Sequence, residues 1–278
     1  MVPTILVVVV LALYPLAFSV AAALNDSSLG KPFNGWVGLE NVESVLGDGD
    51  VIGALIRTTI YALAVTAVSV LAGLAIAVAL DRTTRGGSLL RTIFLLPLLT
   101  PAVTVAILWK VILSPSGGLL STVLTDLGFD GSALSPLSST ALALPTIALA
   151  DVWEWTPLVT ILLYAALQAV DWETVEAATL DGAHGRTLLL GVILPTIAGA
   201  IAAVALIRLV LAFKVFDLVA VLTAGGPGQS TTTASYLIFQ RALQQFDVGQ
   251  ASVITLLLAI VVTLVTLPFV YLMRRAHA

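Results

Sequence analysis

Six apolar runs, each long enough to cross a bilayer, constrain this chain more than any other feature. They cover approximately residues 3–24, 55–80, 92–113, 141–168, 196–222 and 250–273. A hydrocarbon core about 30 Å thick takes about 20 helical residues to cross. Backbone groups in lipid must bond one another, which leaves helices and closed barrels as spanning structures. Sustained alternation at period two, the mark of a barrel strand, is absent. The expected fold class is therefore all-α: a polytopic membrane protein with six transmembrane helices, a single domain over residues 1–278 with no separate soluble domain. Charged residues make up only 10% of the chain, against about a quarter in soluble domains.

Several chemistries are excluded by residue supply. The chain has no cysteine, so disulfides, thiol nucleophiles and thiolate metal sites are ruled out. Its two histidines, His184 and His277, stand in a loop and at the C-terminal end, which supplies no histidine metal cluster. A net charge of −4 suits neither a nucleic-acid surface nor a polybasic lipid patch.

Orientation follows from lysines and arginines near the span ends. With the N-terminus in the cytoplasm, the inner side holds Arg82, Arg85, Arg91, Arg186, Arg274 and Arg275, and the outer side Lys31, Arg57, Lys110 and Arg241. The first outer loop is acidic, with Asp26, Glu40, Glu43, Asp48 and Asp50. Both termini are then cytoplasmic. Ala21-Ala22-Ala23 mimics a signal cleavage site, but no basic residue precedes the first run, which is also longer than a signal core. A retained span is expected. Outside the membrane, residues 114–140 are rich in Ser, Gly and Pro, and residues 223–249 open on Ala224-Gly225-Gly226-Pro227-Gly228 before a polar helical stretch with Tyr236, Phe239 and Phe246. These loops read either as a rim that receives a partner or as ordinary surface.

The polar segment between the fourth and fifth runs is the most organised loop. Asp171-Trp172-Glu173-Thr174 starts a helix, with acidic residues where its dipole favours them. That helix continues to Thr179, Asp181-Gly182 breaks it, and Arg186 to Val192 forms a second helical stretch leading to Pro195. Glycine permits the backbone such a corner needs. The small Ala177 and Ala178 allow a partner close approach.

This pattern, Glu176-Ala177-Ala178, then Gly182, then Leu194-Pro195, resembles the EAA loop of binding-protein-dependent ABC importer permeases. Six spans with this loop between the fourth and fifth are similar to the type I importer permease, or MetI-like, fold. Leu222-Thr223-Ala224-Gly225-Gly226-Pro227 resembles the carbohydrate branch, the maltose-type permeases. Val192 stands where the family usually has Ile. The resemblance implies a coupling helix that docks on an ATPase through Glu176, Ala177, Ala178, Asp181, Gly182 and Ala183. It implies a second homologous permease, two ATPase subunits, an extracytoplasmic solute-binding protein or lipoprotein, and a bacterial cytoplasmic (inner) membrane. The cargo implied is a carbohydrate, a di- or oligosaccharide such as trehalose or maltose, with a glycerol-phosphate-type substrate as the alternative. No Gly-x-x-x-x-Gly-Lys-Ser/Thr loop occurs, so ATP and Mg belong to the partner ATPase and this chain needs no cofactor and is no enzyme.

Charges inside the runs are expensive, about 2.5–3.5 kcal/mol each at mid-bilayer on insertion scales, and must face a cavity or a partner. Asp151 and Glu154 lie in the fourth run, and Arg208, Lys214 and Asp217 in the fifth, the last two spaced to pair along one helix face. Two readings stay open. In one, Arg208, Ala212 and Val215 line a substrate pathway with Glu154, Trp155 and Leu158, aromatic faces meeting the apolar side of a sugar and polar groups its hydroxyls. In the other, Arg208 bridges to Glu154 or Asp151, or touches the second permease. An arginine here also suits a phosphate. Pro97, Pro101 and Pro157 interrupt runs, as kinks or as tolerated residues. The rival class is a proton-coupled secondary transporter relaying through Asp151, Glu154, Arg208 and Asp217, which would have no use for the loop after the fourth run.

Overall fold

The computed structural model describes residues 2–81, 94–130 and 135–276. Arg82, Arg85, Arg91 and His277, used above for orientation and metal arguments, lie outside the described residues, as do the side chains of Arg274 and Arg275. The chain is helical almost throughout. Helix α1 (Val2–Ala23) is followed by a two-residue antiparallel pair, β1 (Asn25–Asp26) with β2 (Gly35–Trp36), and by the short α2 (Glu40–Gly47). Helix α3 (Gly49–Asp81) has 33 residues, about 50 Å at 1.5 Å per residue, so it extends well beyond the hydrocarbon.

The third apolar run is two helices, α4 (Leu96–Leu99) and α5 (Ala102–Ile112). Pro101 divides them. Its ring pushes Thr100 out of the helical region, to ψ 130°, and it has no N–H to give to the preceding turn. Helix α6 (Leu119–Asp126) lies in the next loop, and α7 (Ala143–Gln168) runs unbroken through Pro157. Helix α8 (Trp172–Leu180) and the segment α9 (Arg186–Thr196) form the polar loop. α9 includes a π-helical turn, Leu189–Ile193, and meets α10 (Ala198–Phe213) at 68°. Helices α11 (Asp217–Leu222), α12 (Ala234–Phe239) and α13 (Val248–Ala276) complete the chain.

By length and apolar composition, α3, α7 and α13 each suffice to cross a membrane among the described residues, and the bent α9–α10 pair would make a fourth. Leu13–Ala23 and α5 are shorter apolar helices. In lipid, helices associate by close packing rather than by escape from water, and α3 against α7 is the most extensive contact. Gly73 makes it possible: a Cβ there would stand 2.7 Å from Val159 Cγ1 and 3.2 Å from the Thr160 backbone N. Tyr61, Val65, Val105, Ile147, Leu209 and Phe213 form the main core, which joins α3, α5, α7 and α10.

The expected fifth span of residues 196–222 is not one helix. It ends at Phe213 and restarts at Asp217. The hydroxyls that meet the freed carbonyls come from later in the chain: Thr233 Oγ1 donates to Val215 O at 3.3 Å and Ser235 Oγ to Phe213 O at 3.1 Å. Irregular backbone at membrane depth survives only where protein satisfies it, as here. The break also separates Lys214 from Asp217, which form no ion pair among the described residues, contrary to the expected pairing along one helix face.

Two ends of the bundle are distinct. At one, the 24–48 segment and the start of α3 interlock with the 223–247 segment: Gln229 Nε2 donates to Asp50 Oδ2 at 2.6 Å, Arg241 pairs with Asp48, and Ser28 bridges to Asp247. At the other, Gln168 bonds Asp81, drawing together the ends of α7 and α3 where α8 begins.

Candidate functional site

The polar loop is built by local rules. Asp171 caps α8, its Oδ1 accepting from Glu173 N at 3.1 Å. The helix ends with Gly182 at φ 90°, Ala183 N donating to Ala178 O at 2.9 Å and Gly182 N to Thr179 O at 3.1 Å. This pair of bonds closing on a left-handed residue is the Schellman stop, which glycine accepts without a Cβ penalty. Gly185, at φ 54°, starts the return toward α10. Glu176, Ala177, Asp181 and Gly182 are exposed, and Ala178 and Ala183 are half-buried. Leu180 at the turn is 89% exposed, an apolar side chain held out on an otherwise polar corner. The loop thus presents a short helix and a tight corner, rigidly joined by the α9 turn to α10.

Helix α10 carries that connection to the charged residues. Arg208 is 1% exposed and forms an ion pair with Asp151 of α7. Its Nε donates to Ser69 Oγ of α3 at 3.2 Å, and its Cζ lies 6.0 Å from the Trp155 ring, within cation–π range. One guanidinium therefore ties three helices. Of the two readings left open, the salt bridge is the arrangement observed, with Asp151 rather than Glu154.

Beside this pair, α5, α7, α10 and α11 enclose a cavity of about 120 Å³ whose wall includes Asp151, Glu154, Trp155, Lys214, Val215 and Asp217. The break after Phe213 creates it, because Lys214 to Phe216 turn across the bundle instead of continuing the helix. Of the six expected pathway residues, Glu154, Trp155 and Val215 reach this wall; Arg208, Ala212 and Leu158 do not. Ala212 is 1% exposed and packs in the main core, one residue before the helix ends at Phe213. Of three larger cavities, those of about 380 Å³ between α3 and α7 and about 520 Å³ beside α4 have mostly apolar walls and offer a polar ligand little to bond, and one of about 390 Å³ lies along α9 at Arg186, Thr187, Leu190 and Gly191.

Residues 231–233 did not stand out in the sequence, yet Thr231, Thr232 and Thr233 are buried. Thr231 Oγ1 donates to Gly226 O at 2.8 Å and Thr232 Oγ1 to Gly225 O at 3.2 Å. They fix the Gly-Gly-Pro turn over the break. Three successive small hydroxyls after a Gly-Pro turn were the available clue. Among the described residues no group of three or more His, Cys, Asp or Glu could hold a metal ion.

The family described as "Binding-protein-dependent transport system inner membrane component" matches residues 69–277. The trehalose/maltose transport system permease protein MalF of Thermococcus litoralis is 32% identical, the match covering 95% of this chain and 90% of that one. The sn-glycerol-3-phosphate transport system permease protein UgpA of Agrobacterium fabrum is 27% identical over 99% of this chain and 94% of its own. Among solved structures, a chain of a bacterial ABC transporter involved in the import of the acidic polysaccharide alginate superposes with a TM-score of 0.82, at 23% identity, covering 98% of this chain and 93% of that one.

Proposed function

The chain belongs to the binding-protein-dependent transport system inner membrane components, the permeases of ABC importers, and from that premise we propose that it carries a carbohydrate, a di- or oligosaccharide such as trehalose or maltose, into the cytoplasm of a bacterium. Its termini and the α8 corner face the cytoplasm in this reading, and the interlocked 24–48 and 223–247 segments face outward to receive an extracytoplasmic solute-binding protein. A second homologous permease completes the pathway, since a cavity of about 120 Å³ is well below the roughly 300 Å³ at which small-molecule sites begin. Two ATPase subunits, holding ATP and Mg, drive the cycle. This chain performs no hydrolysis.

The observation that carries the reading is the continuity from α8 to the cavity. Glu176 to Ala183 form a capped helix and corner, exposed except for the half-buried Ala178, Thr179 and Ala183 and the partly buried Val175 just before it. The corner connects through one 68° bend to the helix that holds Arg208 and ends at the cavity. A push on α8 then moves α10 as a rigid lever, the way packed helices transmit discrete shifts. Sugar uptake by proteoliposomes containing the complete transporter and its binding protein tests this. Uptake should require internal ATP and persist with a protonophore at constant ATP. Uptake that collapses with the protonophore would instead support the proton-coupled rival.

A further inference from the structure

Two aromatic side chains at one end of the bundle stand on strained backbone and are nevertheless exposed. Among the described residues three non-glycine positions have positive φ, and two of them are Phe33 and Phe246, each at 60°. A bulky residue rarely adopts that region and keeps it only where its surroundings impose it. Here they do. Ser27 is buried, and its Oγ accepts from Phe33 N at 3.2 Å. Its backbone O accepts from Val248 N at 2.9 Å and Gly249 N at 3.0 Å, while Leu29 N donates to Phe246 O at 3.3 Å. The β1–β2 hairpin and the start of α13 are thus one unit, held so that both rings stay outside the core. Leu29 and Trp36 of the same hairpin are exposed too, Trp36 at 72%. Apolar groups presented together in this way mark a contact surface.

Their level along α1 identifies the partner. Helix α1 has 22 residues and no charged one, about 33 Å of helix, which matches a hydrocarbon core about 30 Å thick. Trp36 pairs with Asn25, just past the helix end at Ala23. That is the level of the membrane–water interface, where tryptophan is enriched. Phe33 folds back further. Its ring meets Phe18 edge-on at 5.2 Å, about 8 Å inward of the helix end. Phe18 is exposed, as are Tyr14 and Leu11 one and two turns earlier on the same side of α1, so the hairpin continues that apolar stripe. Charge adds no attraction for anionic headgroups, which takes a cluster of cations. Lys31 stands among Asp26, Glu40 and Glu43, and Arg241 is paired with Asp48. We propose that Leu29, Phe33, Trp36 and Phe246 form an anchor that enters the headgroup–hydrocarbon boundary of the bilayer. Lipid then holds the edge of the interlocked rim at a fixed level. The anchor requires α1 to span the membrane and is independent of the cargo.

The test is site-directed spin labelling of the assembled transporter in phosphatidylcholine nanodiscs, with any cysteines of the partner subunits replaced. Leu29→Cys, Phe33→Cys, Trp36→Cys and Phe246→Cys are labelled singly, so that a variant that fails to assemble leaves the others. Glu43→Cys, exposed on α2, is the reference in water. Collisions of each label with oxygen, which concentrates in lipid, are compared with collisions with a water-soluble nickel chelate. The oxygen-to-nickel ratio should exceed that of Glu43→Cys severalfold at all four positions and be highest at Phe33→Cys, beside Phe18. The ratios should stay the same when phosphatidylglycerol is added. Ratios equal to the reference overturn the proposal, as does entry into lipid only when phosphatidylglycerol is present. If nickel reaches the labels until the solute-binding protein is added, the surface docks that protein and the proposal falls. If neither oxygen nor nickel reaches them, the surface is a subunit contact and the proposal falls equally.

Discussion

Asp151 is the most informative residue to remove, because its loss separates a structural ion pair from a substrate contact. In Asp151→Ala, the guanidinium of Arg208 keeps Ser69 Oγ at 3.2 Å and loses its only carboxylate. At 1% exposure it has no route to water. Breaking a buried pair by deleting one partner costs about 3–5 kcal/mol, because the surviving charge stays uncompensated. At about 2–4 °C per kcal/mol for a chain of this size, the melting midpoint should fall by roughly 6–20 °C. Replacing both partners with apolar residues, Asp151→Leu with Arg208→Met, should recover most of that loss, since an ion pair and a packed apolar pair are often nearly equivalent. The assay is thermal unfolding of detergent-solubilised Asp151→Ala and of a double-mutant cycle made of the unaltered chain, Asp151→Leu, Arg208→Met and the double variant. A coupling energy above about 2 kcal/mol is expected. Melting of Asp151→Ala at the unaltered temperature, or a double variant as unstable as the two losses summed, would refute the reasoning and return Arg208 to the candidates for substrate binding.

Two further outcomes follow from backbone geometry. Gly182→Val forces a β-branched residue into the left-handed region at a cost of about 1–2 kcal/mol, although a Cβ there would meet nothing within 4 Å; ATP hydrolysis by the complex should then lose its dependence on substrate, while Gly182→Asn, which tolerates that conformation, should keep it. Thr233→Val removes the hydroxyl that serves Val215 O and leaves a buried carbonyl without it, a loss of about 1–3 kcal/mol in unfolding measurements, whereas loss of less than about half a kcal/mol would show that the break after Phe213 needs no such support.

How much of this was legible in the sequence depends on whether the determinant is local. The α8 corner was, because Asp171 as cap and Gly182 as stop act on their immediate neighbours. The division of the third run at Pro101 follows from a rule about the residue before proline, although the apolar composition on either side disguises it. The break in the fifth run was hidden. Phe213 to Asp217 carries no proline or glycine, and what stabilises the break are hydroxyls at positions 233 and 235. For Arg208 the sequence left open a substrate role, a contact with a second permease, or a bridge to Asp151 or Glu154, which stand three residues apart on one helix. Choosing between them took the position of Ser69 on α3, which only tertiary packing supplies.

The central claim is that the α8 corner seats against an ATPase subunit, and the absence of native cysteine in this chain allows a direct test. A single Ala177→Cys thiol in the assembled transporter should form a cross-link to the ATPase through a short bifunctional reagent, with a yield that changes when nucleotide is added. A Leu39→Cys thiol, exposed at the opposite end, should form none. If the thiol at position 177 reacts freely with a bulky soluble reagent in the intact complex and never links to the ATPase, the docking role of α8 is contradicted.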